Sequence, residues 1–298
     1  GALEHFTKDE KGIIGLLATA GTVSSGGYEK AIRKIANEEQ AGNDIEVISQ
    51  GGTGIAEAID GDTDYYDASA IGLNPGYKGP VVGEKDGIKI SLLDMYHFDF
   101  SDSKMLCGNK EMSGCSGMQI NDPVNYMRFH LVSLLEKVRA SHTQDKLKVL
   151  ILGCTHYPYL EQEIHQILDE LYQYQAMDGT YRYKPYMEEN IILIDPAQNT
   201  AMELYEHIRK KHLFAKKNNL SESELYISVP NQDNKNNLID NTGKFPYSYK
   251  YGRTPGNLQE YVKRIPMTGE TLDVITLQRI REQMPSIYQL IEKQGSAK

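Results

Sequence analysis

The chain has 298 residues, of which 40% are hydrophobic and 24% charged, and a formal net charge of -9. That length allows one large or two ordinary domains, and the composition excludes a disordered chain. The acidic balance argues against nucleic acid as the main partner, and no apolar run reaches the roughly 20 residues that cross a bilayer.

Residues 1–11 are polar and charged, unlike a secretory leader. Gly1 in place of Met reads as the trace of a cleaved tag or as a start inside a gene. The three cysteines, Cys107, Cys115 and Cys154, are an odd, low count that points to free thiols in a reducing cytosol. Cys107 and Cys115 have no zinc spacing and read as structural or incidental.

Residues 12–19 (GIIGLLAT) predict a buried parallel strand. A Gly/Thr/Ser loop over 21–27 and a helix over 28–37 are expected next, an order that can offer N–H and hydroxyl groups to an anion. Residues 45–48 predict a second strand. The glycine-rich turn after it, Gln50 to Gly54, lacks the Lys-Ser/Thr pair of a nucleotide loop. From 61 to 122 the pattern is irregular and reads as a large insertion over the domain surface, with one alternating strand at 88–92. Asp62, Asp64 and Asp67 are not in calcium-loop order and read as a solvated turn.

Asp122-Pro123 opens a helix over 124–139, striped by Met127, Leu131, Leu134, Leu135 and Val138. His130, beside that stripe, reads as a packing or surface histidine. Val149 to Leu152 predict a buried strand. It leads into Gly153-Cys154-Thr155-His156-Tyr157-Pro158 and a helix with Leu160, Ile164, Ile167, Leu168 and Leu171 on one face. A thiol at a strand's C-terminal end, beside a histidine and a helix start, is the setting of an activated cysteine. A strand at 190–194 and a helix at 197–212 follow, the helix facing inward through Ala201, Leu204, Tyr205 and Ile208. A strand at 225–229, a loop over 230–256 and C-terminal helices complete the chain. The basic run at 209–217 reads as a solvated helix end.

Three stretches together resemble glutamate racemase of the aspartate/glutamate racemase family: Gly15 to Tyr28, the Gly-Cys-Thr-His-Tyr-Pro string, and Leu193 to Ala201. The resemblance covers roughly residues 11–60 and 120–230. It implies a three-layer α/β fold with a mainly parallel sheet flanked by helices, plus a C-terminal helical extension. Residues 1–196 are expected to form the racemase-type domain, and 197–298 a segment that returns to the other α/β domain. The implied activity is cofactor-independent interconversion of L- and D-glutamate, supplying D-glutamate for cell-wall peptidoglycan in the cytoplasm. A cysteine on each face of the α-carbon would move the proton. By motif, Cys154 is one acid/base and His156 its polarising neighbour. Thr155, Thr19, Thr22 and Ser25 would meet the substrate, a small acidic amino acid. No metal or cofactor is implied.

The family's other cysteine, in a Cys-Asn-Thr motif, and its early Asp-Ser-Gly stretch do not occur here. The chain therefore corresponds to the family's C-terminal portion, and its site needs an N-terminal domain or a homodimer partner to be complete. A non-catalytic binding protein for an acidic amino acid or dicarboxylate on the same fold is the alternative. A cysteine hydrolase using Cys154 and His156 ranks third, because residues so near in sequence seldom face each other as nucleophile and base.

Overall fold

The computed structural model describes residues 1–7, 10–38, 45–108, 115, 117–141, 145–215, 223–241, 243–252 and 260–296. The chain divides into two compact units, Gly1–Lys211 and His212–Lys298. The first opens with strand β1 (Gly12–Ala18), helix α1 (Ala20–Ser25), α2 (Gly27–Glu38), β2 (Ile45–Gly51) and α3 (Ile55–Ile59). It continues through α4 (Leu93–Tyr96), β3 (Met105–Leu106), β4 (Gln119–Ile120), α5 (Pro123–Ala140), β5 (Leu147–Gly153), α6 (Glu161–Gln173), β6 (Met187–Ile194) and α7 (Pro196–Lys210). The expected boundary at 196/197 falls at the start of α7, which belongs to this first unit.

The central sheet is parallel, in the order β2-β1-β5-β6, with helices flanking it, as an α/β fold requires. Strand residues alternate between two buried faces. Ile13, Leu17, Leu150 and Leu152 join one core with α5 and α6; Ile14, Leu16, Val149 and Ile151 join another with Ile32 of α2 and Phe6. Burial on both faces explains why β1 and β5 read as continuous apolar runs. Each fully buried Ile or Leu contributes about 1.5–3 kcal/mol relative to exposure.

Several expectations change. Residues 21–25 are helical rather than loop: Thr19 caps α1 by accepting the Thr22 N–H, and Gly26 closes it at φ 63°. Pro158 opens a short 3-10 turn, not α6 itself. No strand forms at 88–92. Val82 and Ile88 make an isolated bridge, and Ile90 to Leu92 form a 3-10 turn. The 61–122 stretch lies over the surface only in its first part: no residue of 61–79 is buried, whereas Ile88, Leu92, Tyr96, Phe98, Met105 and Ile120 are buried in the main core. The Asp62, Asp64 and Asp67 segment is the solvated turn expected, with Asp64 paired to Lys78 and Asp67 accepting from Ser69 in exposed contacts. Cys107 and Cys115 are not free thiols; they form a disulfide, a bond that a reducing cytosol disfavours. The residues between them, 109–114, lie outside those described.

The inward face expected of α7 is also absent. Ala201, Leu204 and Tyr205 are exposed, Leu204 to 57%, and no residue of the helix is buried. The basic run behaves as expected through Lys211, exposed after the helix end; residues 216 and 217 lie outside those described.

The second unit contains a hairpin-like pair, β7 (Tyr226–Pro230) antiparallel to β8 (Val262–Pro266), with α8 (Tyr247–Tyr251), α9 (Val274–Gln283) and α10 (Pro285–Ser296). Its small core is Leu272, Ile280 and Ile291, packed by Leu277 and Tyr288. Among the described residues, no helix is long and apolar enough to cross a membrane.

Candidate functional site

The strand order places β1 and β5 side by side at the centre, with β2 and β6 outward on opposite sides. The chain therefore winds away in both directions from the β1/β5 pair, and the crevice beyond their C-terminal ends is the topological switch point where open α/β sheets bind ligands. Ala18 pairs with Gly153, so the next residues, Thr19 and Cys154, leave the sheet together. A Cβ on Gly153 would crowd the Ala18 side chain, so glycine there permits that approach.

The turn after β5 is clamped from below. Tyr157 is fully buried and its hydroxyl donates to the Gly52 carbonyl at 3.2 Å. Gly52 N donates to Ala18 O, tying the end of β2 to the end of β1. A Cβ on Gly52 would strike the Tyr157 ring and hydroxyl, and Gly54, at φ 93°, is similarly pressed by Tyr126. His130 fixes the same loop from α5: one ring nitrogen meets Thr53 O at 2.9 Å and the other meets Gln50 Nε2 at 3.0 Å. It is a buried packing histidine, and burial pushes its pKa down to about 4, so it is neutral. Nε2–H then donates to Thr53 and Nδ1 accepts from Gln50.

On this base stand three polar groups in a line. Cys154 Sγ is 3.6 Å from His156 Nδ1, and His156 Nε2 is 3.0 Å from Asp60 Oδ2. The thiol and imidazole are part-buried, and Asp60 is about half exposed at 48%. The contact with Cys154, and beyond it the Asp60 carboxylate, holds the His156 imidazole above its ordinary pKa, against the effect of burial. With Nε2–H given to Asp60, Nδ1 faces the sulfur and can take the S–H proton or, once protonated, donate to the thiolate. Neighbours in sequence thus do face each other, because the turn between them folds Cys154 and His156 to the same side. Asp60 was not foreseen: it follows α3, a distant part of the sequence, and nothing local marks it.

The other expected residues divide. Thr19 Oγ1 and Thr22 Oγ1 are 2.9 Å apart, part-buried at the end of β1 beside the Cys154 strand. Thr155 is exposed between Cys154 and His156. Ser25 is at the far end of α1, donating to Thr22 O and accepting from Gly27 N, so its hydroxyl is spent locally. Cys154 is the only free thiol, since Cys107 and Cys115 bond each other. Among the described residues no cluster of His, Cys, Asp and Glu could hold a metal ion. Compared with known proteins, the chain matches no family model, no curated protein and no solved structure.

Proposed function

We propose that this chain carries one wall of a cofactor-independent amino-acid racemase site, acting on glutamate or a closely related acidic amino acid. The observation that supports it most is the Cys154–His156–Asp60 line at the switch point of the sheet. A thiolate formed by transfer to His156 removes the substrate α-proton and becomes a thiol. The electron pair passes to the carboxylate side as an enediolate, and the proton is later returned to carbon. Asp60 keeps His156 oriented and offsets its charge while the thiolate exists. Thr19, Thr22 and Thr155 offer donors for substrate carboxylates. Inversion needs a second acid on the opposite face, and a second copy of the chain or an N-terminal domain with its own cysteine supplies it. The proposed role is provision of D-glutamate for cell-wall peptidoglycan.

The single thiol favours one second reading, binding of an acidic amino acid or dicarboxylate without turnover. Following the Cα–H signals of L- and D-glutamate and of aspartate by proton NMR in deuterated water separates the two. Loss of signal for one enantiomer supports proton transfer. Calorimetric titration with the same amino acids reads binding: heat without any exchange supports the second reading, and neither heat nor exchange removes both.

A further inference from the structure

We propose that the cavity between the second half of α5 and the 81–92 segment binds a compact, multiply charged anion. Its volume is about 330 Å³, at the small end of ligand pockets. Ser133, Glu136, Lys137 and Ala140, spaced along one face of α5, form one wall; Lys85, Lys89 and Tyr96 face them, and Gln50 of β2 closes the side. Neither Cys154, His156, Asp60 nor Thr19 lines it, so the inference does not depend on the proposed thiol chemistry.

The charge around this cavity is one-sided. Lys85, Lys89 and Lys137 bring three ammonium groups against the free carboxylate of Asp86. Glu136 does not balance them, because its oxygens already accept from Arg139, Arg182 and Tyr183. Lys85 and Lys89 have no ion-pair or side-chain hydrogen-bond partner among the described residues. Lys137 Nζ spends one N–H on Ser49 O at 2.8 Å and keeps two. A buried donor joins them. The Tyr96 hydroxyl, on a ring 1% exposed, accepts the Lys89 backbone N–H, but its own O–H reaches no protein acceptor among the described residues. Burial raises the Tyr96 pKa and keeps that proton in place. Ammonium groups can only donate, and the Tyr96 oxygen already accepts from Lys89, so its O–H is left to donate toward the cavity; the ligand class that satisfies such a set is a phosphate-type anion or a polycarboxylate.

Calorimetric titration of the full chain at low salt with inorganic pyrophosphate, and separately with citrate, tests the site. At least one probe is expected to bind saturably at one site. Lys85→Gln with Lys89→Gln should weaken it by about tenfold or more, the worth of one charged hydrogen bond. Tyr96→Phe should weaken it without changing charge, and Lys34→Gln, whose ammonium pairs with Glu38 on α2, should leave it unchanged. Preference for pyrophosphate marks a phosphate ligand and preference for citrate a polycarboxylate. No saturable heat from either probe at millimolar concentration overturns the proposal. So does an equal loss in Lys34→Gln, which would mean diffuse attraction. The two lysines are exposed, so their variants should keep the wild-type melting temperature.

Discussion

Acidification should weaken the protein through His130 before it reaches the carboxylates. The ring is buried and neutral, with both nitrogens engaged, and its pKa is lowered to about 4 from the ordinary 6.5. Between those values the unfolded chain binds a proton that the folded chain does not, so stability falls as pH falls through that window. The whole gap is worth roughly 3 kcal/mol, of which about 2 kcal/mol is lost by pH 5. That is a large share of the roughly 5–15 kcal/mol that holds an ordinary domain folded. His156 does not mask the effect: its pKa is raised, so its linked contribution is complete below 6.5 and constant on further acidification. Glu10 and Glu170, both lowered to about 2 from 4.5 by Lys148 and Arg128 respectively, lose their contributions as pH falls from about 4.5 to about 2, so they change little between pH 6.5 and 5. The assay is urea denaturation followed by circular dichroism at a series of pH values. His130→Gln can donate to Thr53 O and accept from Gln50 Nε2, so it should remain folded with a much flatter pH response. An unchanged pH slope in His130→Gln would refute the reasoning, and so would a wild-type stability that does not fall between pH 6.5 and 5.

Other perturbations act nearer the site. Asp60→Asn removes the carboxylate that helps raise the His156 pKa, so an NMR titration should find the imidazole titrating at lower pH than in wild type. Tyr157→Phe removes one of two donors to the Gly52 carbonyl, leaving the Ile55 N–H at 3.4 Å, and should cost about 1 kcal/mol in chemical denaturation. Leu204→Ser should change stability by no more than about 0.5 kcal/mol, as expected for a side chain facing solvent. A larger loss would show that this face of α7 is covered in solution.

The legible parts of the fold are those where local pattern and burial coincide. β1 and β5 are buried on both faces, so their sequences are apolar throughout, and α5 and α6 carry stripes that meet the sheet. Gly-Cys-Thr-His-Tyr-Pro marks His156 as a polarising neighbour of Cys154, but their facing geometry follows from the turn between them, which the spacing alone argued against. Asp60 reaches the site only through tertiary packing, across 96 residues. The α1 segment, Ala-Gly-Thr-Val-Ser-Ser, reads as loop because five of its six residues, all but Ala20, are weak helix formers; the Thr19 cap and the strand before it make the turn helical. Residues 88–120 bury apolar side chains from turns and from elements of two to four residues, which leave no period to find. The stripe on α7 taught the opposite lesson. Periodicity reports which face a helix could bury, and Ala201, Leu204 and Tyr205 have the spacing without the cover. β8 carries no apolar signature because Lys263 and Arg264 lie on an exposed two-stranded pair.

The central claim, that Cys154 moves a proton at a substrate α-carbon, is tested most directly by deuterium exchange into glutamate with and without Cys154→Ser. The one-thiol site predicts exchange into one enantiomer with its configuration retained, since the thiol must return the label to the face it took it from, and loss of that exchange in Cys154→Ser. Exchange that survives Cys154→Ser at the wild-type rate would contradict the assignment of Cys154. Robust inversion by this chain as a monomer would contradict the need for a second acid from elsewhere.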